Sequence, residues 1–201
     1  MFQFFQQISE KKWNYVASFV ADSLAILILI LTTYLTYAGQ TAWWYILAFV
    51  SGIVTWTVYE YVFHRWIFHG STPLALGHGK HHDDADRLLS MPFATGPAIY
   101  LVMFFLLRFL IGDGLAAVFT TAYAISYLYY GFLHHSSHFM EIDLKLWKKM
   151  RAHHLLHHKF PDRNFGFTTS FWDRVFGTHY AIARVKRSAV AARSTTPQPT
   201  A

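Results

Sequence analysis

Long apolar runs separated by short polar segments dominate the first two thirds of the chain. Crossing about 30 Å of hydrocarbon requires roughly 20 apolar helical residues, and four runs approach that length. They cover residues 16–37, 42–63, 96–111 and 114–133. The links between the first and second runs and between the third and fourth are long enough only for tight turns. The pattern predicts an all-α integral membrane protein with four transmembrane helices in two hairpins.

The composition is typical of a chain that exposes apolar surface to lipid. Hydrophobic residues make up 54% of the sequence and charged residues 14%, whereas soluble domains carry about 25% charged residues. The high apolar content excludes an intrinsically disordered chain. The sequence contains no cysteine, which excludes disulfide scaffolds, thiolate zinc sites, cysteine nucleophiles and haem-thiolate oxygenases.

The placement of basic residues predicts the orientation of the helices, because cytoplasmic flanks of membrane proteins collect lysine and arginine. All 17 basic residues except Arg108 precede the first run, lie between the second and third runs, or follow the fourth. Both termini and the large connecting segments are therefore expected to be cytoplasmic. This topology, together with anionic lipid headgroups, accounts for the net charge of +6 without a nucleic-acid partner.

Thirteen histidines are the second unusual feature, and all of them fall on the predicted cytoplasmic side. Residues three and four apart share one face of a helix. Two triplets and one pair are therefore each expected to point in one direction: His78, His81 and His82; His154, His157 and His158; His134 and His138. His64 and His69 are five residues apart, about 140° around an α-helix, so one could serve each of two adjacent metal centres.

These ten histidines exceed the coordination sphere of one ion, so two metal ions are the simplest interpretation. Imidazole suits zinc, copper, iron and nickel, but a structural zinc site closes with four ligands and would leave most of these histidines unused. Two redox-active irons at the cytoplasmic ends of membrane helices would instead suit oxygen activation beside an aliphatic chain. We therefore expect a cytoplasmic histidine-rich helical cap that oxidises a lipid. The other three histidines, His135, His153 and His179, are left as supporting or surface residues.

Several segments resemble, in order and approximate spacing, the fatty acid hydroxylase/sterol desaturase superfamily of membrane di-metal oxygenases, and most closely its fatty acid 2-hydroxylases. The segments are EYVFHRWIFH, HGKHH, HHSSH, AHHLLHH, NFGF and FWDRVFGT, within residues 42–180. The resemblance implies a di-iron centre that uses O₂ and two electrons to hydroxylate or desaturate a C–H position of a lipid. Carried over by motif, the implied metal ligands are His64, His69, His78, His81, His82, His134, His138, His154, His157 and His158. Zinc could replace iron in a purified sample, since it binds imidazole sites more tightly than Fe²⁺.

Two acidic residues are candidates for supporting the di-metal centre. Ligating imidazoles usually donate their second N–H to a carboxylate, a carbonyl or water. Glu60 lies four residues before His64, on the same face of the predicted helix, and Asp173 lies within the segment FWDRVFGT. A third acid, Asp22, lies inside the first apolar run near its cytoplasmic end. It could simply reach the interface, although intramembrane acids are often functional.

The resemblance also bears on domains and partners. Residues 1–187 are expected to form a single membrane-embedded fatty acid hydroxylase-like domain, and residues 188–201 a disordered tail. The residues before His64 are occupied by two predicted spans, which leaves no room for the cytochrome b5-type domain fused to many eukaryotic 2-hydroxylases. We therefore expect a separate electron donor, cytochrome b5-like or a ferredoxin, and a lipid substrate, with a fatty acid or fatty acyl chain favoured.

Other functions share parts of this pattern. Carotenoid and sterol hydroxylases or desaturases belong to the same superfamily and share its histidine spacing. A histidine-rich membrane metal transporter or sensor is the non-enzymatic alternative, but a transporter would need polar residues through its spans. A bis-histidine haem carrier would need histidines that face one another at membrane depth, whereas these lie in loops and at helix ends. Hydroxylation and desaturation both begin with hydrogen abstraction, so the sequence leaves both open.

Overall fold

The computed structural model of the protein describes residues 2–37, 39 and 41–181, and every regular element in that part of the chain is a helix. The all-α prediction is confirmed, while the predicted disordered tail at 188–201 lies outside the described residues. The helices are α1 (Phe2–Ser9), α2 (Lys12–Leu35), α3 (Ala42–Val62), a π-helix (Phe63–Phe68), α4 (Pro73–Asp83), α5 (Thr95–Ile111), α6 (Asp113–Phe139), α7 (Lys145–Lys159) and α8 (Phe171–Val175).

Two of the predicted spans correspond to helices whose length and composition would allow them to cross a membrane. α2 and the continuous segment Ala42–Phe68, formed by α3 and the π-helix, are both long and apolar enough. The outward face of α2 exposes Leu27 and Ile28, and that of α3 exposes Trp43; lipid would cover such surface. The other two predicted spans correspond to α5, which is apolar but has only 17 residues, and to α6.

α6 is the central helix of the bundle and packs against α2, α3 and α5. Its buried side chains are mostly small, including Ala116, Ala117, Thr120, Ala124 and Ser126. Small residues let neighbouring backbones approach closely: at Gly52 of α3 an added Cβ would lie 2.3 Å from the carbonyl oxygen of Phe119. Because three helices surround it, α6 carries serine and threonine where a lipid-facing helix would carry leucine.

Hydrogen bonds and an ion pair connect the start of α2 to α4 and to the segment that follows it. Asn14 is fully buried; its Nδ2 donates to Ser90 Oγ at 2.9 Å, and its Oδ1 accepts from Phe93 N at 2.9 Å. Glu10 accepts from Lys80 Nζ of α4 at 2.7 Å. These contacts hold the segment before α5, and α4 with its three histidines, against the first hairpin.

Candidate metal centre

Ten histidines converge at the end of the bundle where the π-helix, α4, α6 and α7 meet. They form two clusters, and within each cluster the candidate ligand atoms lie within 4.8 Å of one another. The first cluster consists of His64, His69, His78, His82 and His157. The second cluster consists of His81, His134, His138, His154 and His158. The structure thus brings together all ten residues that the family motifs nominate as ligands.

The spacing of nitrogens in the first cluster tests whether a metal ion would fit. The Nε2 atoms of neighbouring rings lie 3.0–3.1 Å apart. Two nitrogens bound at about 2.1 Å to one ion lie about 3.0 Å apart at a right angle and about 3.4 Å apart at a tetrahedral angle. The observed distances therefore fit a five- or six-coordinate ion better than a closed tetrahedral zinc site.

In two rings of the first cluster, a backbone carbonyl determines which nitrogen carries the proton. His64 Nδ1 lies 2.6 Å from the carbonyl oxygen of Phe165, and His157 Nδ1 lies 2.7 Å from that of Arg163. A carbonyl can only accept, so Nδ1 carries the proton in both rings, and Nε2 of each neutral ring keeps its lone pair. These lone pairs point into the cluster, where a bound cation would relieve their mutual repulsion. The donor set therefore fits a metal ion.

The second cluster has the same character. His138 Nε2 and His154 Nε2 lie 2.9 Å apart, and His154 Nε2 and His158 Nε2 lie 3.1 Å apart. His81 Nε2 is buried without a hydrogen-bond partner among the described residues. Burial lowers the pKa of His81 to about 4 and the pKa of His158 to about 3. Both rings are therefore neutral at pH 7, with a lone pair available to a metal.

Each HxxHH motif serves both clusters. His78, His82 and His157 belong to the first cluster, and His81, His154 and His158 belong to the second. The expectation that each triplet points in one direction is therefore wrong. Consecutive residues differ by about 100° around a helix, so one triplet reaches two neighbouring centres. The clusters lie side by side, with the rings of His82 and His158 stacked at a centroid distance of 4.4 Å.

The expectation that His64 and His69 serve different centres is also wrong, because both belong to the first cluster. The chain between them is the π-helix, in which His69 N donates to the carbonyl oxygen of His64 at 3.1 Å. Hydrogen bonds in a π-helix span five residues instead of four. Residues five apart therefore come onto the same face, and the 140° separation of a regular helix is lost.

The NFGF loop, residues 163–168, supplies both carbonyls and is held by two buried carboxylates. Asp173 Oδ1 accepts from Phe165 N at 2.8 Å, and Oδ2 accepts from Gly166 N at 2.9 Å. Glu60 Oε1 accepts from Thr168 N at 2.8 Å. Both acids thus reach the first cluster through the backbone of the loop, and not through the direct imidazole contact that the position of Glu60 before His64 suggests. These carbonyls could not be predicted from the sequence, because every residue has a backbone carbonyl and its type does not show which one contacts a histidine.

The three remaining histidines lie outside both clusters. His135 Nδ1 lies 2.9 Å from Tyr15 Oη and so connects α6 to α2. His153 Nε2 lies 3.2 Å from Asp173 Oδ2. The ring of His153 also stacks on that of His179, at a centroid distance of 5.7 Å. None of the three is positioned to share an ion with either cluster.

An apolar cavity of about 640 Å³ adjoins both clusters. Its wall includes His64 and His78 of the first cluster and His81 and His134 of the second, and it continues past Trp56 into the helix bundle. Its volume lies in the range of about 300–1,000 Å³ that is common for ligand pockets. A chain-like apolar ligand held in this cavity would therefore lie beside both clusters.

A family model described as fatty acid hydroxylase matches residues 49–178. The chain is 36% identical over 150 residues to a dihydroceramide fatty acyl 2-hydroxylase of Arabidopsis thaliana, a match that covers 68% of this chain and 62% of the relative. It is 28% identical over 182 residues to a fatty acid 2-hydroxylase of Rattus norvegicus, covering 83% of this chain and 48% of the relative. The chain thus spans about half to two thirds of the length of these curated relatives.

A solved structure has the same fold. The structure of full-length scs7p, in which only the hydroxylase domain is visible, matches with a TM-score of 0.69 at 22% identity. The match covers 87% of this chain and 69% of that chain. The helical bundle described above is therefore an arrangement already known among solved proteins.

Proposed function

The chain belongs to the fatty acid hydroxylase family, and from that premise we propose that it is a membrane di-iron oxygenase that hydroxylates a C–H position of a lipid. The reaction consumes O₂, two electrons and two protons, converts C–H into C–OH, and releases water. One observation carries the proposal: two clusters of five neutral histidines lie side by side on the wall of one apolar cavity. A substrate chain and two metal ions would meet there.

The ten clustered histidines are the proposed metal ligands, five for each ion. Iron bound there would supply the redox chemistry that activates O₂. Iron is favoured over zinc as the working metal because zinc has no redox chemistry, although zinc could occupy the site in a purified sample. The nitrogen spacing of the first cluster supports a coordination number above four, which leaves a position open for oxygen.

The chain's own residues orient and enclose the reacting groups. The carbonyls of Arg163 and Phe165 fix the ring orientations of His157 and His64. Tyr127 and Tyr130 of α6 line the cavity beside Trp56, and these aromatic walls exclude water from the substrate chain. Exclusion of water protects the reaction from side reactions and strengthens the electrostatic interactions in the site.

The proposed substrate is a fatty acid or the fatty acyl chain of a larger lipid, and the proposed position is the carbon next to the carbonyl group. The support is twofold: the cavity is lined mainly by apolar and aromatic side chains, and the Arabidopsis relative is described as a dihydroceramide fatty acyl 2-hydroxylase. Sterol or carotenoid substrates and desaturation remain outcomes of the test below.

The proposed topology places four spans in the membrane, with both termini and the histidine clusters on the cytoplasmic side. α2 and the segment Ala42–Phe68 supply two spans, and α5 and α6 supply the second hairpin, joined through Gly112. The clusters lie at the end of the bundle from which α4 and α7 extend. Basic residues flank that end, as the positive-inside rule requires of a cytoplasmic face.

The electrons are proposed to come from a separate acidic protein, cytochrome b5-like or a ferredoxin. α7 presents exposed Lys145, Lys148 and Lys149 next to the helix segment that carries three ligands of the clusters. Opposite charge on a partner would steer its approach to this face. Reversal of two of these charges, Lys145 and Lys149, to glutamate should slow reduction of the protein by an acidic donor. The matched control is the same reversal at the two exposed residues Lys11 and Lys12.

The decisive experiment supplies iron-loaded protein in lipid nanodiscs with a reductase and donor, isotopically labelled O₂, and a panel of lipids. The panel contains a free fatty acid, an N-acyl amino alcohol, a sterol and a carotenoid. We expect one labelled oxygen atom in the acyl product. An unlabelled alkene would indicate desaturation, and a product from the sterol or carotenoid alone would contradict the substrate class. No product from fully metallated, reduced protein would contradict the oxygenase proposal.

A further inference from the structure

Asp22 is an acid in an unusual place. It lies within the candidate membrane helix α2, is only 4% exposed, and forms part of the wall of the cavity that adjoins both clusters. Its Oδ1 atom is buried and has no hydrogen-bond partner of ordinary geometry among the described residues. A buried polar group that lacks a well-formed partner is unfavourable, and acids at membrane depth are rare and commonly functional.

Tyr100 of α5 places a second polar group on the same wall. It is 2% exposed, and its hydroxyl also has no hydrogen-bond partner of ordinary geometry in the part of the chain that the structure describes. Asp22 and Tyr100 face each other closely enough for the tyrosine hydroxyl to interact with the carboxylate, although not in ordinary hydrogen-bond geometry. The cavity therefore contains one acceptor and one donor, side by side, in surroundings that are otherwise mainly apolar and aromatic.

Gly96 creates the space in which these two groups meet. A Cβ added at Gly96 would lie 2.1 Å from Asp22 Oδ1 and 3.2 Å from Tyr100 Oη. Any side chain at this position would displace the carboxylate from the cavity wall. The arrangement thus depends on three residues from two helices: the acid of α2, and the glycine and tyrosine of α5.

We propose that Asp22 and Tyr100 form a binding site for a hydroxyl group of the lipid substrate. A hydroxyl matches this pair because it donates one hydrogen bond, to Asp22 Oδ1, and accepts another, from Tyr100 Oη. An amide N–H would satisfy only the acid, and a hydrocarbon would satisfy neither group. The site rests on the proposed function in one respect, namely that the occupant of the cavity is the lipid on which the metals act.

The position of the site in the cavity indicates what it does. The same continuous cavity is walled by His64 and His134 nearer the metals and by Asp22 and Tyr100 within the helix bundle. A lipid whose hydroxyl is held by Asp22 has its acyl chain restricted to the rest of the cavity. The pair would therefore select hydroxyl-bearing lipids over simple acyl chains and help to choose which carbon lies beside the metals.

The test measures binding separately from turnover. Zinc-loaded protein cannot carry out redox chemistry, so competitive binding of two lipids can be followed in nanodiscs by native mass spectrometry. The probes are an N-acyl amino alcohol with free hydroxyls and its O-methylated analogue. We expect wild-type protein to prefer the hydroxyl form by about tenfold, the effect of one or two hydrogen bonds in a buried site. Asp22→Leu should abolish the preference, and Asp22→Asn and Tyr100→Phe should each reduce it.

Two further variants keep the test specific. Gly96→Ala retains both polar residues but displaces the acid, so it should also reduce the preference. Leu101→Ala changes an exposed residue of the same helix and should keep the wild-type ratio. The isosteric variants Asp22→Asn and Tyr100→Phe remain informative if Asp22→Leu does not fold.

The outcomes separate this inference from the proposed function. Equal binding of the two lipids by wild-type protein, or a preference that persists in Asp22→Leu and Asp22→Asn, would overturn the hydroxyl site even if both lipids are hydroxylated by the iron-loaded enzyme. A preference that disappears in these variants would support the site even if the iron-loaded enzyme modified neither lipid, and in that case only the proposed reaction would fail.

Discussion

The two histidine clusters contain the same residue type but are held by different parts of the chain. In the first cluster, His64 and His157 are oriented by carbonyls of the NFGF loop, and the loop carbonyl at Phe165 is 101 positions from His64. In the second cluster, four of the five rings come from i, i+4 pairs on the regular helices α6 and α7. Helix geometry therefore assembles the second cluster, whereas the first also depends on a distant loop.

This difference teaches where each histidine cluster is sensitive to change. Residues on one face of a helix keep their relative positions as long as the helix is intact. A loop has no such internal frame and depends on contacts to its backbone, among which are those of the carboxylates of Glu60 and Asp173. Substitutions outside the ligands should therefore weaken the first cluster much more than the second.

The largest expected effect comes from removing one ligand from each cluster in turn. His157→Ala should reduce the bound metal from two ions to one by emptying the first cluster, and His158→Ala should do the same at the second. Either variant should lower activity by more than about 100-fold, the upper end of what partners outside the ligand shell usually cost. Metal content by mass spectrometry and turnover of labelled O₂ provide the measurements.

The residual metal in these two variants shows whether the clusters are separable. Spectroscopy of the single remaining ion should differ between His157→Ala and His158→Ala, because a different cluster stays occupied in each. Loss of both ions from both variants would contradict the description of two separately held centres. Full activity in His157→Ala would contradict its assignment as a ligand.

The second expected effect is on the acids that hold the loop. Asp173→Asn and Glu60→Gln each leave the side chain's size unchanged but weaken its bonds to loop N–H groups. We expect the zinc affinity of the first cluster to fall by about 10- to 100-fold, the typical effect of such supporting groups, while the second cluster keeps its affinity. Titration against a competing chelator should then show two separate steps in place of one.

Matched controls are available at exposed acids. Asp143→Asn and Glu141→Gln make the same chemical changes where the side chains lie at the surface, so both should leave the titration unchanged. Equal loss of affinity at the two clusters would show that Glu60 and Asp173 support the whole fold, and not the first cluster in particular.

The same contrast explains which parts of the site could be predicted from the sequence. Apolar runs predicted the helices α2, α3, α5 and α6, because a long continuous apolar run favours a helix that is buried or faces lipid. The histidine motifs predicted the ten clustered residues, because metal binding depends on residue type. The structure brings these ten rings together in two clusters, and the matching family model confirms the resemblance on which the motifs rest. Their role as metal ligands stays a prediction.

The allocation of rings to clusters could not be predicted by the α-helical rule. His64 and His69 share a cluster because a π-helix lies between them, and no residue in that segment is a recognised π-helix signal. The HxxHH triplets divide because two centres lie side by side, which depends on how α4 and α7 pack. Glu60 and Asp173 act by binding the loop: Glu60 accepts from Thr168, 108 positions away, and Asp173 accepts from Phe165, 8 positions away. Tertiary packing therefore decides these details.

A smaller effect is expected from the backbone of the loop itself. Asn164 has a positive φ of 56°, and its Oδ1 accepts from Tyr180 N at 2.7 Å while its Nδ2 donates to the carbonyl of Tyr180 at 3.0 Å. Asn164→Gly keeps this conformation accessible but loses these two bonds and a third, from Nδ2 to the carbonyl oxygen of His153 at 3.3 Å. Asn164→Ala loses the same bonds and, unlike the glycine variant, keeps a β-carbon in the left-handed region, which costs about 1–2 kcal/mol relative to glycine.

We therefore expect stability and first-cluster zinc affinity to fall in the order wild type, Asn164→Gly, Asn164→Ala. The unfolding temperature should drop by about 2–4 °C for each kcal/mol lost in a chain of this size. Equal behaviour of the glycine and alanine variants would show that the left-handed conformation is not what the loop requires. A loss of affinity at the second cluster would show that the loop supports both centres.

The smallest expected effect comes from the histidines outside the clusters. The ring of His179 is linked to the first cluster only indirectly: it stacks on His153, which in turn contacts Asp173. The bond from His179 N to the carbonyl oxygen of Asp173, at 3.0 Å, involves the backbone alone and survives substitution of the side chain. His179→Ala should therefore keep both metal ions and change activity by no more than about twofold, the range of ordinary surface substitutions. His153→Phe removes one donor from a buried carboxylate that still accepts from Phe165 N, Gly166 N and Thr178 Oγ1. Its effect on the first cluster should lie between those of His179→Ala and Asp173→Asn. If His179→Ala lost as much metal as His157→Ala, histidines outside the two clusters would also be required for metal binding. The distinction between a cluster held by a loop and a cluster held by helices would then be wrong.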